Sequence, residues 1–351
     1  MSIKGKMRCG VTVAVVILLF TAALFGSYGC GAKQVVDKVY VTVRGYQVIQ
    51  DVNAKAEEGY DVRTARAMLM EGWQAYNEDD FGKTNELINK LYDELKKSRR
   101  VAERIYYSSA GGITVSGLVF KPQGKGPWPT IIVNHAGFGT AADFSDVALG
   151  ICDRGYLVFN PDFRGSGKSE GVNEFAKGEV DDVINGLDYL EEQGWVDNGR
   201  IGTYGQSHGA AVSLLAAERD SRIKAVVEEA GPTDAVTLYE EATKSTDPTE
   251  KQLIEEAVRM VGGTPSEVPQ EYAIRSAVNY ADQISAPVLI IHGAQDNIVP
   301  VEQAYEMYDA LERAGKTVEM KIYPEELHCI NQPDSRNEVW EMMFDWFSRY
   351  V

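Results

Sequence analysis

The sequence predicts an α/β fold: a mostly parallel eight-stranded sheet with helices on both faces, interrupted by a helical cap and preceded by a helical segment. Three observations carry this. Short apolar runs alternate with amphipathic stretches through most of the chain, the pattern of buried parallel strands and their crossover helices. The run Gly205-Gln206-Ser207-His208-Gly209 lies between an apolar stretch, Ile201–Tyr204, and an Ala/Leu-rich one, Ala210–Ala217. A strand, a sharp turn and a helix in that order lift a serine hydroxyl above a sheet edge, and small flanking residues let the backbone fold that tightly. Asp296 and His328 each follow a further apolar run, and parallel strands bring their C-terminal ends to one edge.

The chain has 351 residues, 44% of them hydrophobic and 25% charged, enough for one large domain and an appendage. A net charge of −17 with no basic patch excludes nucleic acid as a partner. Of the cysteines Cys9, Cys30, Cys152 and Cys329, the last two fall in the folded body. They are expected as free, buried thiols, with pairing left open. No spacing suggests a metal site or a cofactor.

Residues 1–30 read as an export segment. Lys4, Lys6 and Arg8 precede the apolar stretch Val11–Phe25, and Gly26-Ser27-Tyr28-Gly29-Cys30 follows. This is a secretory signal pattern. The small residues before Cys30 resemble a bacterial-type lipobox, with Ser27 where an aliphatic residue is usual. Its use would make Cys30 the lipidated first residue and place the protein outside the cytoplasm on a membrane surface. An uncleaved anchor and ordinary cleavage are the alternatives.

Residues 33–98 are helical in pattern. Val35, Val39, Val43, Tyr46 and Ile49 recur at helical spacing, and Gly59-Tyr60-Asp61 ends that run. Helices over about Val62–Asn77 and Lys83–Lys97 follow. The pair, with Ala65, Gly72, Tyr76 and Asp80-Phe81, resembles a single tetratricopeptide-like hairpin. One such unit cannot bury its own apolar face. It therefore packs on the first helix, on the rest of the chain, or on a protein partner, unless it is a plain spacer.

Residues 99–351 form the main body. Val101–Tyr107 and Ile113–Phe120 read as a hairpin, and Thr130–Val133 as a buried strand. Asn134-His135-Ala136-Gly137-Phe138-Gly139 leads into a helix over about Ala142–Arg154. After the strand Gly155–Phe159 comes a glycine-rich loop, Asn160–Gly171. It contains Gly167-Lys168-Ser169 but lacks the first glycine of a phosphate loop. Asp162 and Arg164 are expected to brace it through a charge-assisted contact. An amphipathic helix, Glu174–Gln193, leads by way of Trp195-Val196-Asp197 to the Ser207 strand.

The strand Arg222–Glu228 ends in Glu228 and Glu229, candidates for a substrate rim that binds an amine, or for a solvated, salt-bridged rim. Residues 233–282 break the alternation and read as a cap, with Ile254, Ala257, Val258 and Val261 on one helix. The Asp296 strand (Val288–Ile291), a helix (Val301–Ala314), the strand Val318–Tyr323, His328 and a last helix (Asn337–Tyr350) complete the body.

The order Ser207, Asp296, His328 is that of a nucleophile, its acid and its base. His328 would take the Ser207 proton and return it to a leaving group, and Asp296 would hold the imidazole tautomer. Residues from about 100 to 351 resemble the catalytic domain of the prolyl oligopeptidase family, within the α/β-hydrolase superfamily. The segments that carry this are Asp162–Gly167, Gly205–Gly209, Arg275–Pro287 and His292–Pro300.

The resemblance implies a serine hydrolase with an acyl-enzyme and no cofactor. Its oxyanion hole would use the backbone N–H of His208 and that of Gly137 or Phe138, with His135 a structural loop residue. Family peptidases usually carry an N-terminal β-propeller, which is replaced here by helices. His135-Ala136-Gly137 stands for the more usual His-Gly-Gly, and Cys329 follows the base where glycine is common. Dienelactone-hydrolase-like and acetyl-esterase-like relatives share the core. The expectation is therefore a peptidase acting on small peptides, with a carboxylesterase as the alternative and a non-catalytic binding protein as the reading from another class.

Overall fold

The computed structural model describes residues 31–244 and 248–351, so the Val11–Phe25 stretch and Cys30 lie outside it. The chain divides into two compact units, one ending at Arg100 and one spanning Val101–Val351. No helix among the described residues is long and apolar enough to cross a membrane.

The first unit holds α1 (Gly31–Glu57), α2 (Arg63–Asn77) and α3 (Phe81–Lys97). The Asp80 side chain caps α3, accepting from the Lys83 N–H at 2.9 Å, which satisfies one of the donors a helix start leaves free. Leu87, Ile88, Leu91 and Leu95 of α3 are buried, as are Val41, Val48 and Val52 of α1. Of the expected α1 stripe Val39 is buried, while Val43, Tyr46 and Ile49 stay more than a third exposed. Both stripes repeat at helical spacing, so periodicity does not choose between them. Val41, Val48 and Val52 face inward, and Tyr46 and Ile49 edge an open apolar cleft of about 600 Å³ with Met68 and Trp73.

The second unit is built on one sheet in the order β1-β2-β4-β3-β5-β6-β7-β8. The strands are β1 (Glu103–Ser109), β2 (Ile113–Phe120), β3 (Trp128–Asn134), β4 (Leu157–Asp162), β5 (Val196–Gln206), β6 (Ile223–Glu229), β7 (Val288–Gly293) and β8 (Val318–Tyr323). β1–β2 and β2–β4 pair antiparallel, and the other pairs are parallel. The chain runs from β3 outward to β4, then returns to place β5 on the other side of β3. Such a reversal opens a crevice above the carboxyl ends of the two strands, and the Ser207 turn sits at the end of β5.

The helices are α4 (Ser145–Cys152), α5 (Gly178–Glu192), α6 (His208–Arg219), α7 (Ala235–Ala242), α8 (Pro248–Val261), α9 (Pro269–Ala273), α10 (Glu302–Arg313) and α11 (Pro333–Tyr350). Residues alternate between sheet faces along β5. A Cβ on Gly202 would meet Phe347 of α11 at 2.8 Å. The next residue, Thr203, bonds Ser213 of α6 at 3.1 Å. Helices α6 and α11 therefore cover opposite faces. The main core joins β-branched strand residues such as Ile132, Val226 and Ile290 to Leu187 of α5, Leu214 and Leu215 of α6 and Met307 of α10.

Residues 233–282 form α7, α8, α9 and a short 3₁₀ turn. Asp234 caps α7 by accepting from the Val236 and Thr237 N–H groups. The segment has its own small core of Ala235, Val261 and Tyr272, against which Tyr239, Val268 and Phe175 pack.

Candidate active site

Three loops meet at the carboxyl edge of the sheet. The first is the turn after β5. Ser207 has φ 54° and ψ −122°, a strained region for a residue with a Cβ. The glycines around it are dictated by contact: a Cβ on Gly205 would lie 2.1 Å from the Gly209 carbonyl, and one on Gly209 2.2 Å from that of Asn134. The Ser207 N–H donates to the Glu229 carbonyl at 2.8 Å, which ties the turn to β6.

The second loop follows β7 and the third follows β8. His328 Nε2 lies 2.9 Å from Ser207 Oγ, and His328 Nδ1 lies 2.7 Å from Asp296 Oδ2. Asp296 is well held. Its Oδ1 accepts from the Ile298 and Val299 N–H groups, both at 2.9 Å, and its Oδ2 also lies 3.2 Å from His292 Nε2. Burial works to raise the Asp296 carboxyl, but hydrogen bonds from His292 and His328 outweigh it and hold the group well below the usual carboxylate range. An ionised, oriented acid behind an imidazole that reaches a serine hydroxyl is a chain able to move a proton off that hydroxyl.

The loop after β3 supplies backbone donors. The Gly139 N–H donates to the Ala136 carbonyl at 3.1 Å, closing a tight turn whose third residue, Phe138, has φ 61°. His135 Nδ1 donates to the same carbonyl at 2.7 Å, while its Nε2 accepts from the Phe163 N–H at 3.3 Å. His135 thus shapes the loop from below. Among the described residues, the Gly137 and Phe138 N–H groups have no protein acceptor. The His208 N–H, at the first turn of α6, is free of the helix ladder as well. The His208 ring is buried between Phe163 and Phe175, and burial depresses it to about 3, so it is neutral. Phe175 also packs on the small core of residues 233–282, which brings that segment to the border of the site.

Two expectations are corrected here. Glu228 and Glu229 do not form a rim, because both are fully buried, although Glu229 is salt-bridged, to Arg336. They end a strand covered on both faces, so one points toward each helical layer. The Glu229 carboxylate accepts from Arg336, Tyr204, Gln206 and the Ile330 N–H. Burial works to raise it, and the Arg336 contacts bring it below the ordinary value. Glu228 accepts from the Gly231 N–H at 3.0 Å, but its Oε1 has no partner. Burial pushes Glu228 up to about 7.

The second correction concerns Asp162 and Arg164, which do not bond each other. Asp162 accepts from Arg104, Ser116 and the Ala141 N–H. Arg164 forks onto Asp182 and reaches Glu174. The chain turns sharply after β4, and the two side chains leave in different directions. The glycine-rich loop wraps the Asp162 carboxylate, so closely that a Cβ on Gly167 would lie 2.2 Å from Asp162 Cγ. That explains Gly167 without any phosphate, and Gly165 and Gly171 lie against Val172 and Ile113 in the same way.

Cys152 is buried and free, and Cys329 is free but only partly buried. Cys329 has φ 60°, a conformation that favours glycine. The structure adds a second histidine on Asp296, His292, and the Arg336 contact to Glu229. His292 stands four residues before Asp296, a legible spacing; Arg336 has no local signal.

With the fold and this geometry in hand, comparison with known proteins gives a family. The model described as Prolyl oligopeptidase family matches residues 142–351. The chain belongs to the prolyl oligopeptidase family. It is a serine hydrolase of that family, which sets aside the binding-protein alternative. It is 27% identical over 235 residues to a Bacillus subtilis protein named Uncharacterized peptidase YtmA, covering 66% of this chain and 88% of that one. It is 30% identical over 251 residues to Dipeptidyl peptidase 8 of Mus musculus, covering 65% of this chain but 26% of that one.

Among solved structures, an acylaminoacyl peptidase in complex with Z-Gly-Gly-Phe-chloromethyl ketone matches with a TM-score of 0.61 at 22% identity, over 71% of this chain and 41% of that one. A Pyrococcus furiosus esterase matches with a TM-score of 0.57 at 20% identity, over 71% of this chain and 91% of that one. Both likenesses are of fold. The chain spans about a quarter of the dipeptidyl peptidase and about two fifths of the solved peptidase.

Proposed function

We propose that this chain is an exported serine peptidase that cleaves small peptides through an acyl-enzyme, with Ser207 as nucleophile, His328 as base and Asp296 as its orienting acid. The observation that carries the reading is the hydrogen-bonded chain from Ser207 Oγ to His328 (2.9 Å) to Asp296 (2.7 Å). Ser207 Oγ attacks the scissile carbonyl carbon as His328 Nε2 accepts its proton. The carbonyl π electrons move to oxygen, and the free N–H of His208 with that of Gly137 or Phe138 donates hydrogen bonds to the resulting oxyanion. The tetrahedral adduct collapses, the C–N bond breaks, and His328 returns the proton to the leaving amine. Water then attacks the ester by the same route and frees Ser207.

An ester substrate is the second reading. It is favoured by coverage, since the esterase structure is matched over 91% of its length and the acylaminoacyl peptidase over 41%. Export and membrane tethering rest on Lys4 to Cys30, with Cys30 as the lipid-bearing residue; labelling with a radioactive fatty acid in wild type but not in Cys30→Ala tests this. The test of the main reading is a panel of blocked Ala- and Pro-peptide anilides beside p-nitrophenyl acetate, with Ser207→Ala as control. Turnover of an anilide that disappears in Ser207→Ala supports the peptidase. Turnover of the ester alone selects the esterase, and activity that survives in Ser207→Ala removes both.

A further inference from the structure

We propose that Glu229 is a positioning residue that locks the His328 loop to the Ser207 turn, a role that rests on the triad reading above. It touches both partners of the reaction without touching the reacting atoms. Its backbone carbonyl accepts from the Ser207 N–H at 2.8 Å. Its carboxylate accepts from Gln206 Nε2, the residue before Ser207, at 2.8 Å, and from the Tyr204 hydroxyl at 2.8 Å. The same carboxylate accepts from the Ile330 N–H, two residues past His328, at 2.9 Å. Arg336 closes the circuit. Its Nη1 donates to Glu229 Oε2 at 2.9 Å, and its Nε donates to the Ile330 carbonyl at 2.8 Å. The peptide group on each side of Ile330 is thereby held, one directly and one through the arginine.

Three features make this a lock rather than a decorative ion pair. Glu229 is fully buried, so the charge has only these donors in place of water. Charge-assisted bonds in such a setting are short and directional. Between His328 and the anchored Ile330 stands Cys329 at φ 60°, a conformation the loop keeps only if its flanks are fixed. The Ser207–His328 distance is set by two loops from different strands, β5 and β8, and the Glu229 side chain on β6 bonds to both. Removing it should leave substrate binding intact and degrade alignment. A misplacement of about 1 Å costs on the order of 100-fold in rate.

The experiment measures full-length wild type, Glu229→Gln, Glu229→Ala, Arg336→Lys and Ser207→Ala with a fluorophosphonate, whose phosphorus takes the serine oxygen and releases fluoride. The endpoint of labelling counts folded sites, and the rate per site reads alignment. Expected are equal endpoints with rates per site reduced about 100-fold in Glu229→Ala and about 10-fold in Glu229→Gln. Arg336→Lys should fall between Glu229→Gln and wild type, since it keeps the charge but loses the fork. Ester turnover should lose kcat in the same order while KM holds within about threefold.

Rates per site within twofold of wild type in both Glu229→Gln and Arg336→Lys would overturn the proposal and leave Glu229 a structural ion pair. If Glu229→Ala gives no endpoint because it does not fold, those two variants decide the matter by the same criterion. Labelling of Ser207→Ala at the wild-type rate would instead sink the serine assignment, an outcome separable from the loop measurement.

Discussion

The glycines at the edge of the sheet and those in the N-terminal helices stand in opposite situations. At Gly205 and Gly209 an added Cβ would lie about 2 Å from backbone carbonyls that cannot move. At Gly45 nothing lies within 4 Å, and at Gly72 the nearest atom is 4.0 Å away. In the first region the backbone approaches itself to present one hydroxyl, and each residue type follows from contact. In the second, helices meet through interchangeable apolar side chains and leave an open cleft between them. At the sheet edge the sequence dictates chemistry, and in the helices it dictates only a hydrophobic face.

Substitutions in the two regions should differ accordingly. The largest effect belongs to Ser207→Ala, expected to lower kcat by roughly 10⁶-fold on any good substrate. Asp296→Asn should cost about 10⁴-fold in kcat with little change in fold, because the amide favours the wrong imidazole tautomer. Gly209→Ala should cost several kcal/mol, about 3–5, in denaturant unfolding, since a clash with the backbone forces the elbow to open. Survival of wild-type stability in that variant would dissolve the comparison.

A smaller effect depends on pH. Burial pushes Glu228 up to about 7, above its unfolded value. The folded state therefore binds more protons between about pH 4.5 and 7, and stability falls as pH rises through that window. Glu228→Gln keeps an acceptor for the Gly231 N–H and removes the buried charge. It should stabilise the protein by roughly 2–3 kcal/mol at pH 8 relative to its effect at pH 4, read as the difference in unfolding free energies. An equal effect at both pH values would place the Glu228 carboxyl near its ordinary value. The smallest effect lies on the other side of the comparison. Gly45→Ala should raise stability by about 0.5–1 kcal/mol by restoring helix propensity where there is room, measured as a shift in thermal midpoint.

The same contrast explains what the sequence showed and what it concealed. Ser207, Asp296 and His328 were legible because each follows an apolar strand and parallel strands end on one edge. The sheet and its helices were legible for the related reason that period and punctuation mark them. The enclosure of Glu228 and Glu229 is not legible, because adjacent acids look solvent-facing in a linear chain. Only the sheet, with α6 over one face and α11 over the other, shows that both are enclosed. Arg336 could not be paired with Glu229, since a contact between distant elements has no spacing to betray it. Asp162 and Arg164 both brace their loop but through separate partners, because proximity in sequence says little about direction after a sharp turn. In α1 two valine-rich stripes shared one period, and packing against α3 chose between them.

The central question is which hydroxyl is the nucleophile. Fluorophosphonate labelling of the full chain, followed by peptide mapping by mass spectrometry, answers this directly. One adduct per chain on Ser207, absent in Ser207→Ala and slowed on the order of 10⁴-fold in Asp296→Asn, is the predicted result. An adduct on any other residue, or unchanged labelling in Ser207→Ala, would contradict it.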